Sequence, residues 1–147
     1  GENEERFGEQ KHSELEAGHA VANHSYNHRK LSNVSQQVFD SEVDRTQNAI
    51  GPRAAKCLRP PYGALNTEVR ERAAAKGLST VLWDVDTLDW KRGPVTEIVD
   101  RVKSHAETGT IVLMHDGGGN RSQTLKALEI VLRDMTAEGW SFASLCS

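Results

Sequence analysis

Thr110-Ile111-Val112-Leu113-Met114-His115-Asp116 is the stretch whose reading decides the fold. From Thr110 to Met114 the run is apolar or β-branched without alternation, too short for a buried helix and suited to a strand covered on both faces. Strands of that kind belong to parallel sheets with helices packed over them. This one ends directly on an imidazole and a carboxylate. Helix signals flank it: a segment from about Pro94 to Ala106 before it, and one from Ser122 to about Glu138 after Gly117-Gly118-Gly119 has let the chain turn.

Working outward, the same alternation recurs. Ser79 to Trp83 is a second β-branched, apolar strand, preceded by a helix that Asn66 caps and Gly77 ends. Cys57-Leu58-Arg59 is a short strand cut by Pro60-Pro61, and the helix before it has caps in Ser32 to Ser35 and runs to about Ile50, ending at Gly51-Pro52. Upstream, a helix over Glu9 to Ala17 stops at Gly18, and the strand His19 to Asn23 leads into His24. Downstream of Gly139, Trp140 to Leu145 reads as a final strand. The order αβαβαβαβαβ predicts an α/β fold with a parallel sheet or barrel, as one domain over residues 1–147. In barrels of this type the C-terminal ends of the strands carry the site. The order opens on a helix, so an opening strand to supply the first edge of the sheet is expected from elsewhere.

At 147 residues the chain is long enough to bury a core without structural staples. Eighteen basic and 21 acidic residues give a net charge of −3 with no Lys/Arg stripe, which argues against a nucleic-acid partner. No apolar run reaches membrane-spanning length, and Gly-Glu-Asn-Glu-Glu-Arg at the N-terminus is too charged for the apolar part of a signal peptide. Cys57 and Cys146 each sit at one end of an expected strand, outside any Cys-x-x-Cys spacing; they are either a bridge between strands in an oxidising compartment or two buried thiols.

Four clusters carry chemistry. In His24-Ser25-Tyr26-Asn27-His28, two imidazoles four apart share one face if the segment is helical and can chelate a borderline-soft metal; the plain alternative is two surface histidines in a polar loop. In Arg59-Pro60-Pro61-Tyr62-Gly63, a fixed cation precedes a stiff bend whose amides can form an oxyanion hole, or the bend is an ordinary proline turn with Arg59 in a surface ion pair. Asp84-Val85-Asp86-Thr87-Leu88-Asp89-Trp90 sets three carboxylates beside an indole suited to a sugar face, or is a solvated acidic loop, while Trp83 reads as core. Leu113-Met114-His115-Asp116 places an imidazole at a strand tip, where a carboxylate can keep it protonated as a general acid or a loop carbonyl can hold it structurally.

In this order and spacing the four clusters resemble the polysaccharide deacetylases of carbohydrate esterase family four, the NodB homology domain. His24 to His28 is similar to the family's second motif, Arg59 to Gly63 to its third, Asp89-Trp90 to its fourth and Leu113-Met114-His115 to its fifth. The resemblance spans essentially the whole chain. It implies a distorted (β/α) barrel, a divalent metal, zinc or else cobalt, and secreted hydrolysis of N- or O-acetyl groups on a polymer such as peptidoglycan, a chitin-type oligomer or acetylated xylan. By the same resemblance His24 and His28 are metal ligands, His115 is the general acid and Asp89 orients and charges it. Arg59 positions the catalytic base, the Tyr62 N–H joins the oxyanion hole, and Leu113 with Trp90 walls the acetyl pocket.

One departure qualifies the match. Members of the family carry a first motif, Thr-Phe-Asp-Asp-Gly-Pro, whose aspartates supply the base and the third metal ligand, and this sequence has no such segment. The expectation is a fold missing its opening strand or strands, with an exposed sheet edge that pairs with an N-terminal segment of the same protein or with a second copy. The competing expectation is a catalytically impaired carbohydrate-binding or interaction domain that keeps the barrel.

Overall fold

Helix boundaries follow local capping chemistry. In the computed structural model, which describes residues 8–146, the helices are α1 Gly8–Glu16, α2 Gln36–Ile50, α3 Thr67–Ala75, α4 Val95–His105 and α5 Ser122–Ala137. The Ser35 hydroxyl accepts the Val38 N–H to start α2, and the Asn66 side chain accepts the Val69 N–H to start α3. Gly51 at φ 91° and Gly77 at φ 70° carry the chain out of these helices through a region where a side chain is strained.

The strands are short and parallel. β1 (Cys57–Leu58) pairs with β2 (Ser79–Thr80), and β3 (Val85–Asp86) with β4 (Val112–Leu113). The expected strand His19 to Asn23 contracts to Val21–Asn23: Asn23 bridges Leu58 in parallel, Ala55 N–H donates to the Val21 carbonyl, and Arg59 N–H to the Asn23 carbonyl. β1 is therefore flanked by the segment that delivers His24 and by β2.

The chain divides into two compact units, Gly1–Leu82 with Ala143–Ser147, and Trp83–Phe142. In the first, Phe39 and Val43 of α2 and Val69 and Ala73 of α3 form one core with Leu31, Leu58 and Leu78. In the second, Ile98, Val99 and Val102 of α4 pack on Ala127, Val131 and Met135 of α5, each set at helical spacing.

The final strand over Trp140 to Leu145 does not form. Trp140 N–H turns back to the Met135 carbonyl, and Phe142 and Leu145 are exposed. An apolar pattern becomes a strand only where a neighbouring ladder accepts its backbone, and among the described residues none does so here. The segment is secured covalently instead, because Cys146 is disulfide-bonded to the buried Cys57.

Candidate functional site

In the first unit, the strand segment Val21–Asn23 hands the chain to His24, and the five residues that follow do not form a helical turn. Ser25 and His28 take positive φ values, 63° and 55°. The cause lies on α2. The buried Glu42 carboxylate accepts the backbone N–H groups of Tyr26 (3.1 Å) and Asn27 (2.7 Å) at Oε2, and the Asn27 side-chain amide at Oε1 (2.6 Å). Arg29 Nε lies 3.3 Å from Oε1. Buried Asn23 adds a second tie: its amide donates to the Val43 carbonyl and Gln47 Oε1, while its Oδ1 accepts the Ser25 N–H. A helix would direct those amide groups along its own axis; the carboxylate draws them sideways.

The loop brings the two imidazoles together, with ring centroids 4.9 Å apart and planes at 72°, and the Tyr62 ring meets His28 edge-on at 4.7 Å. His24 Nδ1 sits 2.5 Å from the Arg59 carbonyl, which can only accept, so Nδ1 carries a proton and in the neutral ring the lone pair is on Nε2. A backbone carbonyl behind one ring nitrogen is a common arrangement for imidazoles that bind metal through the other. Both rings are exposed. The pair fits part of a zinc-type site, two nitrogens of a tetrahedral set. Among the described residues no group of three His, Cys, Asp or Glu side chains converges to complete one.

Beside it, Pro60 and Pro61 turn the chain into a single 3-10 turn, Pro61–Gly63, with Tyr62 in the left-handed region (φ 61°, ψ 12°) and 68% exposed. Among the described residues Arg59 forms no surface ion pair. Its Nε is buried and has no hydrogen-bond partner among the described residues, and burial pushes the guanidinium below its ordinary pKa.

In the second unit, β3 and β4 lie side by side and bring Asp89 to His115. The Asp89 side chain is fully buried and receives His115 N–H (2.8 Å) and Thr124 Oγ1–H (3.0 Å) at Oδ2, and His115 Nδ1–H (2.7 Å) at Oδ1. Thr87 Oγ1 donates to the Leu113 carbonyl at 2.8 Å and stands 3.3 Å from Asp89 Oδ1. Burial opposes charge on Asp89, but the side-chain and backbone bonds from His115 outweigh it and hold the carboxyl below the ordinary carboxylate range. The His115 side chain is 37% exposed and anchored at Nδ1, which leaves Nε2 as the ring nitrogen that can exchange a proton.

The structure also sorts the three aspartates. Asp84 Oδ2 accepts the Ile111 N–H and Asp86 Oδ1 the Leu88 N–H, which leaves Asp89 as the partner of the histidine. Trp90 is 49% exposed with Lys91 Nζ 5.2 Å from its ring, whereas Leu113 is buried. Trp83, expected in the core, is only partly buried. Glu42, Thr87 and Thr124 were not among the residues singled out from the sequence. For Glu42 a signal exists: it shares the inward face of α2 with Phe39, Val43 and Thr46, where a carboxylate needs partners.

Residues 1–81 match the family described as polysaccharide deacetylase. A peptidoglycan-N-acetylglucosamine deacetylase of Bacillus cereus is 36% identical over 135 residues, covering 89% of this chain and 63% of its own length. A crystallised peptidoglycan N-acetylglucosamine deacetylase superposes with TM-score 0.92 at 28% identity, over 99% of this chain and 70% of that one. A pseudoenzyme of carbohydrate esterase family 4 from Bacillus anthracis superposes with TM-score 0.77 at 29% identity, over 86% of this chain and 45% of that one. The chain thus spans a little under two thirds of the curated Bacillus cereus relative it matches. The likeness over nearly the whole chain identifies the fold class as the α/β barrel type of these deacetylases.

Proposed function

Because this chain belongs to the polysaccharide deacetylase family, we propose that it forms part of a secreted, metal-dependent hydrolase that removes acetyl groups from a carbohydrate polymer. The polymer favoured is one rich in N-acetylglucosamine, such as peptidoglycan, since two similar proteins are named for that substrate. Chitin-type oligomers present the same N-acetyl group, and acetylated xylan an O-acetyl ester. The observation that carries the reading is the Asp89–His115 pair, a buried carboxylate bonded to both the ring and the backbone of a half-exposed imidazole. The disulfide supports an oxidising, extracellular setting.

In this reading the amide C–N bond is hydrolysed to an amine and acetate. His115, oriented by Asp89, delivers a proton from Nε2 to the leaving nitrogen as the bond breaks. The Tyr62 backbone N–H donates to the oxyanion, and Leu113 and Trp90 border the acetyl and sugar groups. Arg59, whose buried Nε lacks a described partner, holds the carboxylate that takes the proton from the attacking water. His24 and His28 hold a divalent metal, zinc or alternatively cobalt, which supplies Lewis acidity toward the acetyl carbonyl. The base and the third protein ligand are the first-motif carboxylates, which this sequence does not contain and which come from a further segment of the same protein or from a second copy.

A second reading, a carbohydrate-binding domain without turnover, is favoured by the similarity to a pseudoenzyme. Acetate release from acetylated peptidoglycan and chito-oligosaccharides, measured with Zn²⁺ or Co²⁺ present, separates the two. With the segment that supplies the first-motif carboxylates present, the enzyme reading expects release that His115→Ala lowers by about two to four orders of magnitude. Polymer binding without release, unchanged by His115→Ala, sinks it and leaves the binding domain.

A further inference from the structure

We propose that Glu42 is a positioning residue for the His24–His28 pair, setting its metal affinity without touching the metal; this rests on the metal-ligand reading of that pair. Three N–H donors of the histidine loop, the Tyr26 and Asn27 backbone groups and the Asn27 side chain, converge on one carboxylate from a helix more than a dozen residues away. That carboxylate is held still. Phe39 and Val43, on either side of it in the same helix, are fully buried, and Glu42 itself is 4% exposed. The bonds it accepts lie between the two ligands in sequence and impose the positive φ on either side, at Ser25 and His28. A non-glycine residue leaves that conformation unless its surroundings hold it there. Without the carboxylate the amide groups of Tyr26 and Asn27 lose their acceptor, the loop relaxes, and the two rings no longer stay 4.9 Å apart. Metal binding must then order the loop as well as engage the nitrogens, and affinity falls.

An amide can replace the carboxylate, because its oxygen can take the Oε2 position and keep both backbone N–H groups while the Asn27 side chain flips to accept from the new NH₂ and the exposed Arg29 side chain turns to solvent. A hydrophobic side chain of similar length cannot. The experiment is a Co²⁺ titration of the 147-residue chain, followed through the ring signals of His24 and His28 by NMR, with thermal melting of each metal-free variant alongside. Glu42→Met is expected to weaken Co²⁺ binding by about 10- to 100-fold, the usual loss when a group supporting a ligand is removed. Glu42→Gln is expected to stay within about three-fold of the parent, by the amide replacement above. Val69→Ala, which destabilises the same core from α3, is expected to lower the melting temperature and leave the affinity unchanged. If Glu42→Met does not fold, Glu42→Asp, which withdraws the oxygens by one methylene, carries the same expected loss. Undiminished Co²⁺ binding by a folded Met or Asp variant, or an equal loss in Val69→Ala, overturns the proposal while the metal reading stands. No binding by the parent chain overturns both.

Discussion

Replacing Asp89 with asparagine separates charge from shape at the second histidine. The carboxylate accepts three short bonds, from His115 N–H at 2.8 Å, His115 Nδ1–H at 2.7 Å and Thr124 Oγ1–H at 3.0 Å, in a side chain with no exposure. An amide has one acceptor oxygen. Placed at the Oδ2 position, that oxygen keeps the His115 N–H and Thr124 bonds, and the NH₂ then faces His115 Nδ1. The conflict resolves if the imidazole gives up its Nδ1 proton and carries it on Nε2, so the structure survives by changing tautomer. Bonds to a charged acceptor contribute about 1.5–3 kcal/mol each against about 1 for neutral ones, so three of them weakened amount to a loss of about 1.5–6 kcal/mol. For a chain of this length that is a fall of roughly 5–20 °C in melting temperature. Nitrogen NMR of the neutral His115 ring reads the tautomer directly: proton on Nδ1 in the parent, on Nε2 in Asp89→Asn. Acetate release, where the parent shows it, falls by about two orders of magnitude or more. A variant that melts within a degree of the parent and keeps its Nδ1 proton would refute the reasoning.

Three further outcomes are expected. Asp89 is held below the ordinary carboxylate range, so the folded state binds fewer protons there and its contribution is complete above about pH 4, then lost as pH falls through the lower folded value. The gap in melting temperature between the parent and Asp89→Asn should accordingly shrink on acidification below about pH 4; a gap constant down to about pH 2 would show that the charge is not its source. Reducing the Cys57–Cys146 disulfide, or Cys57→Ser with Cys146→Ser, removes a crosslink across a sequence separation of 89. Loop closure gives a ceiling of about 4.6 kcal/mol, and denaturant midpoints should report a loss of about 2–4. Phe39→Ala, at a fully buried position of the first core, should cost about 3–5 kcal/mol by the same measurement, and a loss under about 1 kcal/mol would mean that the core collapses around the site with little penalty.

Much of the framework was legible because it is local. A helix begins where a Ser or Asn side chain can accept an N–H three residues on, and Ser35 and Asn66 do so where the sequence places them. The cores of the strands at Cys57–Leu58, Ser79–Thr80 and Val112–Leu113 fall inside the apolar runs that announced them. The four clusters were legible for the same reason, each being a short motif at a strand end. Trp140 to Leu145 has a comparable pattern and forms no strand, because pairing belongs to the neighbour as much as to the segment.

Tertiary structure decided the conformation and partners of the chemical groups. Asp84, Asp86 and Asp89 are alike in sequence, and only the pairing of β3 with β4 brings Asp89 to a histidine 26 positions away and leaves the other two on backbone amides. His24 to His28 reads equally well as a helical turn; Glu42, reaching across from α2, makes it a loop with both histidines on display. The sequence by itself determined which residue types stand at which ends of which elements, since caps, turns and apolar runs act over three or four residues. Which carboxylate meets which imidazole depends on contacts between residues far apart in the chain, and such contacts exist only once the helices and strands have packed.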